Sequence, residues 1–199
     1  MKALSTSVVL TGKKQFEIRE IPVPEIESDG MLLKVEMVGI CGSDRSIYLE
    51  HNNKSELYPM LLGHEVVGRI EIIGEKAKTM YGLEVGDRVT VQPSVFCRQC
   101  RYCLRGEFRR CVSRKSYGLN RSAEEYPNLN GAYGEYMCII PNSTLFKVRD
   151  DVPPEAACMS SVIGNGVRWV RTKGNVREGD TVAIIGPGAQ GLASTIVAR

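Results

Sequence analysis

Only two histidines, one tryptophan and four phenylalanines occur in the 199 residues. Chemistry that needs an imidazole must therefore use His51 or His64. No apolar run approaches the ~20 residues that span a bilayer, so a membrane protein is not expected. Formal net charge is +3, from 26 basic and 23 acidic side chains, too small an imbalance to argue for a nucleic-acid partner. The N-terminal stretch MKALSTSVVLTGKKQFEIRE has one lysine ahead of a short, polar-interrupted apolar patch. It reads as a first strand and not as a signal peptide. A cytoplasmic protein with reduced thiols is the expectation, and an odd total of seven cysteines sits badly with a closed disulfide framework.

What the chain does have is a cysteine cluster. Cys97, Cys100, Cys103 and Cys111 fall within CRQCRYCLRGEFRRC. Two-residue gaps bring the first three sulfurs around one tight turn, and Gly106 allows the chain to return with Cys111. Four thiolates at about 2.3 Å are what structural zinc takes. The tetrathiolate carries a charge of −2, which Arg98, Arg101, Arg105, Arg109 and Arg110 can offset while keeping the thiols ionised. A redox pair, or an arginine patch for phosphate, is the alternative.

Up to about residue 150 the pattern is one of short strands and turns. MLLKVEMVGI (31–40) alternates like a half-buried strand, and EVVGRIEIIG (65–74), DRVTVQP (87–93) and GAYGEYMCIIP (131–141) are further strand runs. Strands at this spacing without a strong helix predict a barrel. Residues 114–130 lack periodicity and read as a surface loop. PPEAACMSS opens a helix, which VIGNGVRWVRTKG continues to near Gly174. DTVAIIGPGAQGLASTIVAR (180–199) then reads as a buried strand, a glycine turn and an alanine-rich helix. Gly186, Gly188 and Gly191 form G-x-G-x-x-G, with Ala189 and Gln190 between the last two glycines. Between a strand and a helix this is the dinucleotide fingerprint, with the pyrophosphate on the helix N-terminus. An ordinary strand–turn–helix is the alternative. The division expected is a barrel over 1–155, with a zinc lobe at 97–111, followed by connecting helices and the start of an incomplete nucleotide-binding domain over 156–199.

A second metal site is expected where GICGSD supplies Cys41 and GHEVVG supplies His64. A catalytic zinc uses about three protein ligands and one open position. Asp44 could accept the other ring N–H of His64 and set its tautomer.

With GICGSD, GHEVVGRI, VGDRV, the four-cysteine lobe, GAYGEY and GPGAQG in that order, the chain resembles the N-terminal portion of a zinc-dependent medium-chain alcohol or polyol dehydrogenase. The resemblance implies a mainly β GroES-like barrel, followed by the start of an α/β Rossmann domain that takes NAD or NADP. It implies hydride transfer between the nicotinamide and a small alcohol or carbonyl substrate, which could be a polyol, an amino alcohol or a secondary alcohol. Zinc would act as a Lewis acid on the substrate oxygen, and the full-length protein would be a homo-oligomer. Ser43 matches the hydroxyl that passes on the alcohol proton, and Glu65 the carboxylate beside the histidine, which can approach the metal when the substrate leaves. Three features depart from the pattern. Ser160 or Ser161 stands where a third zinc ligand is expected, Ser46 stands in place of a relay histidine, and the rest of the nucleotide domain is not in these residues. A non-catalytic, zinc-stabilised barrel is the other reading, and weaker zinc occupancy is expected at Cys41 and His64 than at the lobe.

Overall fold

The computed structural model describes residues 4–51 and 53–199, and divides into two compact units at Cys158/Met159. The first unit is built from short strands. β1 (Leu4–Gly12) and β2 (Gln15–Pro22) form an antiparallel hairpin, and β1 also pairs with β4 (Met60–Leu61). The larger sheet runs β10 (Leu145–Lys147), β6 (Arg88–Val91), β5 (Glu65–Ile73), β3 (Met31–Gly39) and β9 (Tyr136–Ile139). Every neighbouring pair in it is antiparallel. β7 (Ser94–Val95) and β8 (Lys115–Ser116) make a small ribbon at the base of the cysteine lobe. The two main sheets are linked where Val8 N–H donates to Tyr133 O (2.7 Å) and Glu135 N–H donates to Thr6 O (3.1 Å).

Three apolar clusters hold this unit together. The largest joins Met31, Leu33, Val66, Ile70, Val89 and Met137 across β3, β5, β6 and β9. These are the Val/Ile/Met positions that alternate along each strand, so one face of the sheet is apolar. A second cluster packs Val9 and Leu61 against Leu32, Leu129 and Tyr136. The third is small and local: Leu10, Met60 and Leu62 surround Ile47 of α1 (Gly42–Tyr48). Ile47 is fully enclosed, which is worth about 1.5–3 kcal/mol. It pins a two-turn helix beside residues 60–64.

Two regions differ from what the sequence suggested. Residues 114–130 are irregular but are not a surface loop. Tyr117, Arg121, Leu129 and Asn130 are almost completely buried. Tyr117 reaches into the core and its hydroxyl meets Ser143 Oγ at 2.6 Å, so a segment without periodicity serves as core filling. Residues 180–187 form no strand. Ile185 is fully exposed, and Val182 and Ile184 are more than a third exposed. A strand exists only when paired, and among the described residues no other segment pairs with this one.

The second unit is helical. α5 (Ser160–Val167) runs on as a wider π-helical stretch, Arg168–Lys173, and stops at Gly174 as expected. α6 (Ala189–Ala198) packs against α5, with Val162, Val170 and Ala193 buried. α4 (Pro154–Cys158), the proline-initiated helix, belongs to the first unit and packs on β3 and β5. The unit boundary therefore falls three residues beyond the expected division at 155/156. No helix among the described residues is long and apolar enough to cross a membrane.

Candidate metal centres and nucleotide turn

The four lobe cysteines converge, and all are free thiols. Their sulfurs lie within 4.8 Å of one another, with Cys97 and Cys111 at 3.6 Å and Cys97 and Cys103 at 4.0 Å. Sulfurs held tetrahedrally around zinc at about 2.3 Å stand about 3.8 Å apart, so this donor set fits that ion. The chain achieves it with one short helix, α3 (Arg101–Leu104), capped by Cys100, and a return through Gly106 in the left-handed region at φ 74°.

Backbone N–H groups, not the arginines, prepare the thiolates. Those of Cys103 and Val112 hold Cys100 down to about 6. The N–H of Cys97, 3.4 Å from Cys111 Sγ, lowers Cys111. Cys103 goes the other way, pushed up by burial to about 12, so a metal binding there must displace its proton. The arginines face outward. Arg101 and Arg110 lie over the Tyr102 ring at 4.7 and 4.5 Å, and Arg98 donates to Thr144 Oγ1 at 2.9 Å.

The second group is Cys41, His64 and Glu65, whose donor atoms also lie within 4.8 Å of one another. Cys41 is the N-cap of α1, and Asp44 closes the cap by accepting the Cys41 N–H at 2.8 Å. The other Asp44 oxygen stands 3.4 Å from His64 Nδ1. Both residues are buried. The contact is not aligned as a hydrogen bond, which leaves Nδ1 without another partner. Nδ1 thus faces a carboxylate, and Nε2 faces Ser43 Oγ at 3.3 Å. This is the arrangement in which a histidine ligates through one nitrogen and is oriented through the other. Glu65 begins β5, and Gly39 opposite it leaves room for the carboxylate. A Cβ there would fall 2.8 Å from Glu65 Oε2. One sulfur, one imidazole and one carboxylate make a mixed set suited to zinc with a position left open.

All five residues expected at this site therefore gather: Cys41, His64 and Glu65 as donors, with Ser43 and Asp44 against the imidazole. Glu65 completes the three donors from within the first unit. Ser160 and Ser161, expected in place of the third ligand, begin α5 in the second unit, and Ser46 lies on α1, partly buried. One residue had no assigned role in the sequence. The Tyr133 hydroxyl is buried without a hydrogen-bond partner, and its pKa is raised first by burial and then by the charge of Asp44. GAYGEY reveals the tyrosine but not this placement, because the contact is made across 89 residues of chain.

The glycine turn lies in the second unit. Gly186 has φ 101°, Gly188 caps α6, and Ala189 and Gln190 form its first turn. A side chain at Gly191 would collide with the carbonyl oxygen of Gly186. The expected close approach is thus present without the expected strand. Gln190 Oε1 is buried and unpartnered in the same turn.

Residues 27–150 match the pattern described as "Alcohol dehydrogenase GroES-like domain". L-threonine 3-dehydrogenase of Aeromonas hydrophila is 34% identical over 201 residues, covering 100% of this chain and 54% of that protein. An alcohol dehydrogenase of Thermotoga maritima superposes with a TM-score of 0.87 at 26% identity, over 100% of this chain and 55% of its own. An alcohol dehydrogenase of Escherichia coli complexed with NADH gives 0.80 at 30% identity, over 96% and 52%. The chain spans about half the length of the relatives it matches. By the match over residues 27–150 and the likeness of its fold, the chain belongs to the zinc-dependent medium-chain dehydrogenase family with the alcohol dehydrogenase GroES-like domain.

Proposed function

We propose that this chain carries the zinc-bearing part, and the first nucleotide-binding turn, of an NAD(P)-dependent dehydrogenase acting on a small alcohol or carbonyl compound. The single observation that carries the reading is the gathering of Cys41, His64 and Glu65 around one point with Asp44 behind the imidazole. Structural zinc needs no second-shell carboxylate and no free position, whereas a catalytic site has both.

When bound there, zinc supplies Lewis acidity toward the substrate oxygen. The chain's own residues do the rest. Asp44 holds His64 in one tautomer by facing Nδ1 and ties the same carboxylate to the start of α1. Ser43 lies within reach of whatever occupies the Nε2 side. Its hydroxyl accepts the proton of an alcohol and gives up its own toward solvent. A nicotinamide cofactor, when bound, would supply the acceptor for the hydride of that alcohol carbon. Ser46, in the place of a relay histidine, offers no basic nitrogen to hold that proton, so the relay depends on Ser43. The turn at Gly186–Gly191 would receive the pyrophosphate, with N–H groups at the start of α6 directed at the anion. The neighbour solved with NADH supports a nicotinamide cofactor. In a longer protein, residues 180–187 would become the strand they fail to form here, paired with later strands of a Rossmann sheet.

The test is alcohol-dependent NAD(P)H formation by the zinc-loaded protein, in the 199-residue form and in any longer form that contains it. Ser43→Ala should keep its zinc and lose roughly 10²–10⁴-fold in turnover, the usual contribution of a positioned proton carrier. Full zinc at both sites with no alcohol-dependent signal in the longer form would instead favour a non-catalytic barrel.

A further inference from the structure

Asp44 is a carboxylate in an unusual position. It is 2% exposed and forms no ion pair with a lysine or arginine among the described residues. A buried carboxylate without a cation needs hydrogen-bond donors instead. It offers about four lone-pair sites, two on each oxygen. Cys41 N–H takes one on Oδ2 at 2.8 Å, and Gly63 N–H makes a long contact with Oδ1 at 3.4 Å. His64 Nδ1 faces Oδ1 at 3.4 Å. One site on Oδ2 is left over.

A donor stands ready for it. The Tyr133 hydroxyl oxygen is enclosed and has no hydrogen-bond partner. Burial, and then the charge of Asp44, holds this phenol above its ordinary 10.0, so the group keeps its proton and can only donate to a carboxylate. The ring is fixed from several sides. Tyr133 N–H donates to Leu62 O at 2.9 Å, and Tyr133 O accepts from Val8 N–H at 2.7 Å. A Cβ at Gly63 would stand 2.5 Å from the ring. The same side chain packs on the cluster of Leu10, Met60 and Leu62 around Ile47. Tyr133 is therefore held against both α1, which carries Asp44, and residues 60–64, which lead into His64. A phenylalanine would fill the same space, so packing alone does not account for the hydroxyl.

We propose that Tyr133 is a positioning residue for the metal centre: its hydroxyl donates to Asp44 and fixes the carboxylate that orients His64. The inference rests on the reading of Cys41, His64 and Glu65 as a zinc site. With donors on both oxygens, Asp44 cannot turn away from the imidazole. Nδ1–H then has a fixed acceptor, and Nε2 keeps its lone pair for a metal. Tyr133 neither ligates the metal nor moves a proton. It acts only through Asp44.

Tyr133→Phe, Asp44→Asn and the double variant test this in the 199-residue chain. A chelator titration reads zinc at the mixed site, with the lobe zinc as an internal reference for folding. Tyr133→Phe should weaken the mixed site by about three- to tenfold, less than the 10–100-fold expected for Asp44→Asn. The double variant should lose no more than Asp44→Asn alone, because two residues in one chain of contacts are not additive. A second readout needs no metal. The chain has only His51 and His64, so long-range proton–nitrogen spectra resolve both rings. His64 should carry its proton on Nδ1 in the wild type and populate both tautomers in Tyr133→Phe. A general packing defect would lower thermal stability and lobe zinc without moving the tautomer. Unchanged zinc affinity and tautomer in Tyr133→Phe, or additive losses in the double variant, would overturn the proposal. So would lost turnover at unchanged zinc affinity, which would put the hydroxyl on the substrate. If the wild-type mixed site takes no zinc, the functional reading falls, and the His64 tautomer still decides what Tyr133 does.

Discussion

Replacing Glu36 by glutamine should destabilise the first unit strongly at neutral pH and hardly at all in acid. Glu36, on β3, receives Arg88 Nε at 2.6 Å and Nη2 at 3.1 Å, and Arg69 Nε at 3.0 Å. Arg88 is only 9% exposed and also donates to the carbonyl oxygens of Asp150 and Val152, at 3.3 and 3.1 Å. The network therefore joins β3, β5 and β6 to the segment that leads into α4. Removing one partner of a fully buried pair costs about 3–5 kcal/mol. Glu36 is 24% exposed, and glutamine keeps one acceptor oxygen. The expected loss is therefore closer to the value for hydrogen bonds to charged groups, about 1.5–3 kcal/mol. For a unit of this size that is a fall in Tm of about 4–10 °C. The hydrogen bond from Arg88, followed by the charges of Arg88 and Arg69, holds the Glu36 carboxyl below its ordinary value of 4.5. A carboxyl depressed in the folded state stabilises above its unfolded pKa, and that contribution disappears as pH falls through the folded value. Urea unfolding followed by far-ultraviolet circular dichroism should thus show a large gap between wild type and Glu36→Gln at neutral pH. The gap should close well below 4.5. A gap that stays constant on acidification would refute the reasoning, because it would reflect shape and not charge.

Three further outcomes follow from the sites. Cys111→Ser removes one sulfur and the acceptor of the Cys97 N–H, so zinc affinity at the lobe should fall by more than the 10–100-fold typical of outer-shell losses. Competition with a chromogenic chelator would measure it. Asp44→Asn should weaken zinc at His64 by about 10–100-fold and leave the lobe metal in place, as the same chelator titration would resolve. Gly63→Ala puts a Cβ at φ 88°, 2.5 Å from the Tyr133 ring. It should cost about 1–3 kcal/mol by overpacking and lower zinc at the adjacent His64, with both effects read from thermal unfolding and metal content.

The parts of the fold legible in the sequence were those specified by local pattern. β3, β5 and β6 follow from alternating or continuous Val/Ile runs between turn residues, and their ends fall within about two residues of the expected ones. The lobe follows from cysteine spacing alone, since a metal demands only that four sulfurs can reach one point. Long-range features were not legible. Tyr117 and Leu129 are core residues in a segment without periodicity, because irregular backbone can bury a side chain without repeating. Residues 180–187 have the composition of a buried strand but lack the partners that make one. Cys41 and His64 could be named from GICGSD and GHEVVG. What brings them together is Ile47 packed on Leu10, Met60 and Leu62, a contact no short motif encodes. The arginines were assigned to the thiolates on proximity in sequence. Backbone N–H groups donate to the sulfurs and perform that role, which leaves the guanidinium groups for the surface.

X-ray absorption at the zinc edge, on the zinc-loaded chain and on Cys41→Ala, tests the central claim most directly. The account predicts two zinc ions per chain. One should have four sulfur neighbours at about 2.3 Å, and the other one sulfur together with nitrogen and oxygen at about 2.0–2.2 Å. In Cys41→Ala the mixed shell should weaken or vanish while the four-sulfur shell remains. A single zinc with only sulfur neighbours, and a spectrum unchanged by Cys41→Ala, would contradict it.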